Sequence, residues 1–141
     1  MIRMLVHIDR PCKNGTKYTL KPADGIFVMI NLDGSGNLPD NDLQNIVDLE
    51  VVLVDYPKLE IYYPAYQQYF CLEYRNELGF TLQKILQCIN KTGYEFHYFD
   101  YKDNPTYYNA TDSDDAASSI GEYSVESFYI DQNKIYVEIN H

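Results

Sequence analysis

The sequence predicts an α+β fold: a mostly antiparallel sheet with one clear helix over about 81–91, and a spacing that allows a second short helix over about 41–48. Three observations lead there. Most apolar residues fall in runs of strand length, several with period-two alternation. Turn residues separate these runs at short intervals, and only one longer stretch carries the 3.6-residue period of a helix.

Taken in order, Ile2, Met4, Val6 and Ile8 alternate with Arg3, Leu5, His7 and Asp9, the pattern of a strand. Asn14-Gly15 supplies a turn, after which Lys17–Lys21 returns as a second strand. Pro22 and Gly25 break the chain before Ile26–Ile30, a short apolar run. A polar loop covers Asn31–Asp42. Leu43, Ile46 and Val47 then show the i, i+3, i+4 spacing behind the second helix. Leu49–Val54 reads as a buried strand stopped by Asp55-Tyr56-Pro57. Leu59–Tyr63 is extended and halts at Pro64, and Tyr69–Tyr74 is strand-like.

In the main helix Thr81 is the natural N-cap and Leu82, Ile85, Leu86 and Ile89 form one apolar stripe. Gly93 stands just past the end as a C-cap, and Gln83, Lys84, Gln87 and Lys91 make a polar outer face. Tyr94–Tyr101 alternates as a further strand, and Asp103–Ser119 is a polar loop. Tyr123–Ile130 and Ile135–Ile139 close the chain as a hairpin turning at Asp131–Lys134. No repeat or linker divides the chain, so residues 1–141 are expected to form one domain.

Charge sets the first functional limit. With 11 Lys+Arg against 21 Asp+Glu the net charge is −10, which argues against a phosphate-backbone binder needing a basic surface. Three cysteines, Cys12, Cys71 and Cys88, are too few and too scattered for a disulfide framework, and none lies at metal-ligand spacing. The N-terminus lacks a long apolar run and no stretch reaches membrane-spanning length, so a soluble intracellular protein is expected. The Asn-x-Thr sequons at Asn90 and Asn109 then read as chance matches. Fifteen tyrosines without a tryptophan fit AT-rich codon usage. They also supply contact area at low entropic cost, and six of them crowd into Tyr56–Tyr74.

Catalytic chemistry finds little footing. His7 and His97 each sit in an expected strand beside a carboxylate, Asp9 and Glu95, which reads as a surface pair. His141 is the last residue. There is no Gly-x-Ser-x-Gly elbow, phosphate-binding loop or HExxH helix, so no enzyme and no cofactor are expected. One loop has metal-site spacing: laid on the twelve positions of a calcium loop, Asn31, Asp33, Ser35 and Asp42 occupy positions 1, 3, 5 and 12, with Gly36 at the sharp turn. A neutral Asn at position 1, a short Asp at position 12 and the missing incoming helix favour a plain strand connection. The region from Asp103 to Asn133 has no Lys or Arg and seven acids. Asp112, Asp114, Asp115 and Glu122 are its candidate contact residues for a basic partner, against the plainer reading of a solvated loop.

Gly79-Phe80-Thr81-Leu82, Ile120-Gly121-Glu122-Tyr123 and the closing Tyr129-Ile130-Asp131 with Ile135-Tyr136-Val137-Glu138-Ile139-Asn140 resemble a group of small uncharacterised proteins. These are encoded by amoeba-infecting giant DNA viruses, and the similarity covers residues 79–141. The resemblance implies a viral protein in the virion or the host cytoplasm, not a secreted one, and transfers no residue roles. The expectation is a non-enzymatic structural or protein-interaction module, a minor capsid or capsid-associated component. Its contacts would be with proteins, copies of itself or capsid proteins, and not with nucleic acid or membrane. The alternative is a soluble acidic inhibitor or decoy on a basic site of a host or competitor protein. A calcium-dependent binding module using the 31–42 loop comes third.

Overall fold

The computed structural model describes residues 3–6, 15–25, 30–31, 43–65, 68–97 and 124–139. At the centre is a hairpin of two eight-residue strands, β5 (Lys58–Ala65) and β6 (Gln68–Arg75), in register from Lys58↔Arg75 to Ala65↔Gln68. Period-two alternation gives each strand two different faces. Leu59, Ile61 and Tyr63 lie opposite Tyr74, Leu72 and Phe70 on one face, and Glu60 and Tyr62 lie opposite Glu73 and Cys71 on the other.

Four further strands complete the main sheet: β1 (Arg3–Val6), β2 (Thr16–Thr19), β9 (Ser127–Asp131) and β10 (Lys134–Val137). The order is β1-β6-β5-β10-β9-β2, and every pairing is antiparallel except β10 on β5. Two short ribbons flank it, β3 (Ile30–Asn31) with β8 (Ser124–Val125), and β4 (Val52–Val54) with β7 (Phe80–Thr81). The helix α1 (Leu82–Glu95) follows β7 directly. Among the described residues, one long helix on a mostly antiparallel sheet is the α+β fold the periodicity predicts.

Helix α1 starts where its cap requires. Thr81 is extended, and its hydroxyl accepts from Lys84 N at 3.2 Å. Leu82 N and Gln83 N donate to the carbonyls of Val51 and Leu49, both at 3.0 Å, so the first-turn donors are satisfied by the segment leading into β4. Thr81→Ala is expected to cost about 1 kcal/mol in urea unfolding, the usual worth of a hydroxyl N-cap. The apolar stripe Leu82, Ile85, Leu86 and Ile89 is buried against Leu59, Ile61, Phe70, Leu72, Phe128, Ile135 and Val137 of the sheet.

The structure corrects several expectations. Gly93 is inside the helix and not its cap: a Cβ there would come 3.1 Å from the Tyr63 ring, so the glycine lets α1 approach the sheet closely. The helix therefore runs past 91, and Phe96 N–H closes it onto the carbonyls of Thr92 and Gly93. The expected strand Tyr94–Tyr101 is helical through Glu95, with Phe96 and His97 continuing its last turn; residues 98–101 lie outside the described residues. Of the second helix allowed over about 41–48, residues 41 and 42 lie outside the described residues and Leu43 is helical, but Gln44 and Asn45 form a turn and Ile46 bridges Pro22, so the helix does not run on to 48. Of the buried strand expected at Leu49–Val54, only Val52–Val54 is extended and only Val54 is buried. β5 does not halt at Pro64. Its register with β10 ends at Tyr62, so proline's missing N–H interrupts no described ladder on that side.

The Asn14-Gly15 turn does not join β1 to β2 in a hairpin. The two strands stand at opposite edges of the sheet, because Tyr18 of β2 stacks on Phe128 of β9 with ring centroids 5.5 Å apart. Gly15 itself (φ +82°) lies against the Ile130 carbonyl, where any side chain would collide.

Candidate interaction surface

The sheet face opposite α1 is built from alternate residues of β5, β6, β9 and β10. Tyr62, Tyr69 and Tyr136 cluster there around Cys71. Tyr62 stacks on Tyr136 at 4.8 Å, and Tyr69 meets both rings edge-on at 6.2 and 5.7 Å. All four residues are buried. Beside them runs a band of charge. Glu73, nearly buried, takes Lys58 Nζ at 3.4 Å on one oxygen and Arg75 Nη2 at 3.2 Å on the other. Glu60 faces Glu73 across β5–β6, a like-charge pairing offset by Lys134 in register on β10 and by the Tyr62 hydroxyl, which donates to Glu60 at 2.8 Å.

Polar groups of the interior are committed to structure. His97 is buried, its Nε2 3.0 Å from the Tyr63 hydroxyl and its ring edge-on to Tyr63 and Phe96. The expected surface pair with Glu95 is thereby overturned: the helical continuation turns His97 inward. Thr92 donates its hydroxyl to the Cys88 carbonyl at 2.7 Å, and the Tyr74 hydroxyl lies 2.8 Å from Thr92 Oγ1 and 3.1 Å from the same carbonyl. Burial pushes the thiols of Cys71 and Cys88 up to about 12, so both stay protonated and weakly nucleophilic at neutral pH. Burial likewise raises the Tyr62 and Tyr74 phenols, with the Glu60 bond adding to the shift at Tyr62.

The surface most open to a partner lies elsewhere. Among the described residues the exposed large hydrophobics are Val51, Val52, Tyr56 and Leu78, from 46% to 83% exposed. All four belong to the β4–β7 ribbon and its flanks. Asn76 N donates to the Pro57 carbonyl at 2.8 Å and Asn76 Oδ1 accepts from Leu78 N, which folds the chain after β6 back beside β4. Gly79 then packs against Val54 and Val52, bringing Leu78 to the same ribbon. A recess of about 380 Å³ opens next to it, between Tyr56, Leu53 and the β9–β10 turn at Gln132-Asn133. Single exposed apolar side chains are ordinary, but Val52 in the ribbon with Val51, Tyr56 and Leu78 on its flanks gathers four of them in one part of the fold, as contact sites often do.

Of the residues singled out in the sequence, Asp112, Asp114, Asp115 and Glu122 lie outside the described residues, as do Asp33, Ser35 and Asp42. Asn31 is described only in its backbone, paired with Ser124 in β3. His7, Asp9, Cys12, Tyr66 and His141 are also outside. Asn90 is buried in α1, in keeping with a chance sequon. Among the described residues no group of His, Cys, Asp and Glu converges as a metal site, and no helix is long and apolar enough to cross a membrane. The ribbon patch was missed because Val51-Val52-Leu53-Val54 reads as core by composition alone; only Asp48 and Glu50 before it hinted at an outer position. No protein-family model, curated protein or solved structure matches the chain.

Proposed function

We propose that the chain is a non-enzymatic protein-interaction module that docks through the β4–β7 ribbon, in the capsid or a capsid-associated layer of a large DNA virus. The observation that carries the first part is the gathering of exposed Val52 in β4 with exposed Val51, Tyr56 and Leu78 on the ribbon's flanks, beside a segment hydrogen-bonded to the start of α1. A patch on regular structure presents its side chains with little ordering cost on binding. The interior supports the same reading, since its thiols and phenols are held in their neutral forms by burial and its histidine is spent on packing. The viral setting rests on the resemblance of residues 79–141 alone.

Two measurements test the proposal. Val52→Asp/Leu78→Asp changes two exposed side chains, so its melting temperature should stay near that of the parent, while its incorporation into purified particles should fall about tenfold or more, as when an interface anchor is lost. Retention of the folded double variant in particles overturns the ribbon as the docking surface. Absence of the parent protein from particles, with the protein abundant in infected cells, overturns the virion assignment.

A further inference from the structure

The exposed apolar side chains of the β4–β7 ribbon and its flanks stand in a one-signed field. Residues 48–57 and 76–83, which hold Val51, Val52, Tyr56 and Leu78, contain the acids Asp48, Glu50, Asp55 and Glu77 and no Lys or Arg. All four acids are exposed. Asp48 has Lys21 at 3.8 Å, but Glu50, Asp55 and Glu77 make no ion pair among the described residues. Neighbouring cations are engaged elsewhere. Lys58 reaches Glu73 at 3.4 Å on the sheet face away from α1, and Lys84 and Lys91 line a separate cleft with Tyr74 and Cys88.

Gly79 brings the two segments together. A Cβ there would lie 3.5 Å from Asp55 Cα and 3.6 Å from Val52 Cγ1, so Glu77 and Leu78 directly precede the point where the chain meets Val52 and Asp55. The recess of about 380 Å³ beside Tyr56 repeats the pattern in a smaller space. Leu53, Val54 and Tyr56 give it apolar walls, Gln132 and Asn133 close it on the far side, and Asp55 is the one charged residue among those lining it. That far side is fixed: Asn133 Nδ2 donates to the Lys58 carbonyl at 3.3 Å, and the Asn133 carbonyl accepts from Glu60 N at 2.9 Å. The recess is therefore formed before anything binds.

We infer that the ribbon takes a basic segment of a partner protein, with an apolar side chain against Val52 and Leu78 and an arginine in the recess, its guanidinium at Asp55. The inference rests on the ribbon being the docking surface proposed above, and it adds the partner's chemistry. Complementary charge selects partners and steers their encounter, and unpaired carboxylates beside an apolar anchor select a cation. An aromatic ring next to a carboxylate suits arginine, whose guanidinium stacks on the one and donates to the other. A second copy of this chain fits poorly. A two-fold contact sets each patch against itself, so Glu50, Asp55 and Glu77 would meet like charges in a chain of net charge −10.

NMR titration of the 141-residue chain with acetyl-leucyl-leucyl-arginine amide at low salt tests this. Saturable shifts are expected at the amides of Asp55, Tyr56 and Gln132 in the millimolar range. The citrulline analogue should bind about fivefold more weakly, and so should the arginine peptide to Asp55→Asn, whose melting temperature should match the parent's. Equal binding of the arginine and citrulline peptides, unchanged affinity in Asp55→Asn, or no saturable shift at the ribbon each overturns the inference. A dimer in sedimentation that Val52→Asp/Leu78→Asp dissolves also overturns it, because the occupant is then a second copy. Particle incorporation separates the two readings. Loss of Val52→Asp/Leu78→Asp with full retention of Asp55→Asn/Glu77→Gln keeps the ribbon as docking surface and overturns the basic partner, whereas retention of both overturns the ribbon itself.

Discussion

Phe128→Ala is expected to cost about 3–5 kcal/mol in chemical unfolding, the range for removing a fully buried aromatic side chain. Phe128 is 0% exposed, and it sits where three strands meet, opposite Val137 on β10 and opposite Tyr18 on β2. Its ring stacks on Tyr18 at an interplanar angle of 22°. Losing it empties volume in the core and frees the edge strand β2, whose other residues are exposed. Domains of this size are stable by about 5–15 kcal/mol, so the variant should lose a large part of the total. Phe128→Leu keeps most of the volume and should cost under about 1.5 kcal/mol more than an ideal repacking. Equal, small losses for both variants would show that β2 does not depend on this contact.

Stability of this kind was largely legible in the sequence, and its geometry was not. The alternation in Leu59–Tyr63 and Tyr69–Tyr74 located the central hairpin, and the stripe Leu82–Ile89 with Thr81 located the helix, because period and cap are local properties. Partner choice between strands is not local. Asn14-Gly15 has the letters of a hairpin turn, yet β2 pairs with β9, more than a hundred residues along the chain, through the Tyr18–Phe128 stack. Gly93 misled for a related reason: a glycine past an apolar stripe signals a cap, and only the sheet beneath reveals that it makes room for Tyr63. His97 changed from surface to interior once the helix ran to Glu95, four residues beyond the expected end at about 91. For the contact surface, Val51 and Val52 are hydrophobic by type and exposed by position, and position comes from the backbone bonds of Leu49 and Val51 to the helix start.

The second large effect is alkaline. Raising the pH above about 9 should destabilise the fold steeply, by about 1.4 kcal/mol per pH unit for each buried group that the unfolded chain ionises and the folded chain does not. Cys71 and Cys88 have ordinary values of 9.0 and are pushed up to about 12, first by burial; at Cys71 the Glu60 carboxylate adds to the rise, and at Cys88 the two lysines oppose it. The sign follows directly. Below about 9 both states hold the thiol protons and pH changes nothing; between about 9 and 12 the unfolded chain has released them while the folded one retains them, so stability falls as pH rises. The phenols of Tyr62 and Tyr74, raised above 10.0 by burial, extend the same loss. Urea unfolding across about pH 8–11 measures the slope. Cys71→Ala removes one titrating group. It should therefore be somewhat less stable at neutral pH and lose stability less steeply above about 9, by about 1.4 kcal/mol per pH unit. A parent profile that stays flat through this range would mean that the thiols ionise in place and that the tyrosine cluster around Cys71 admits water.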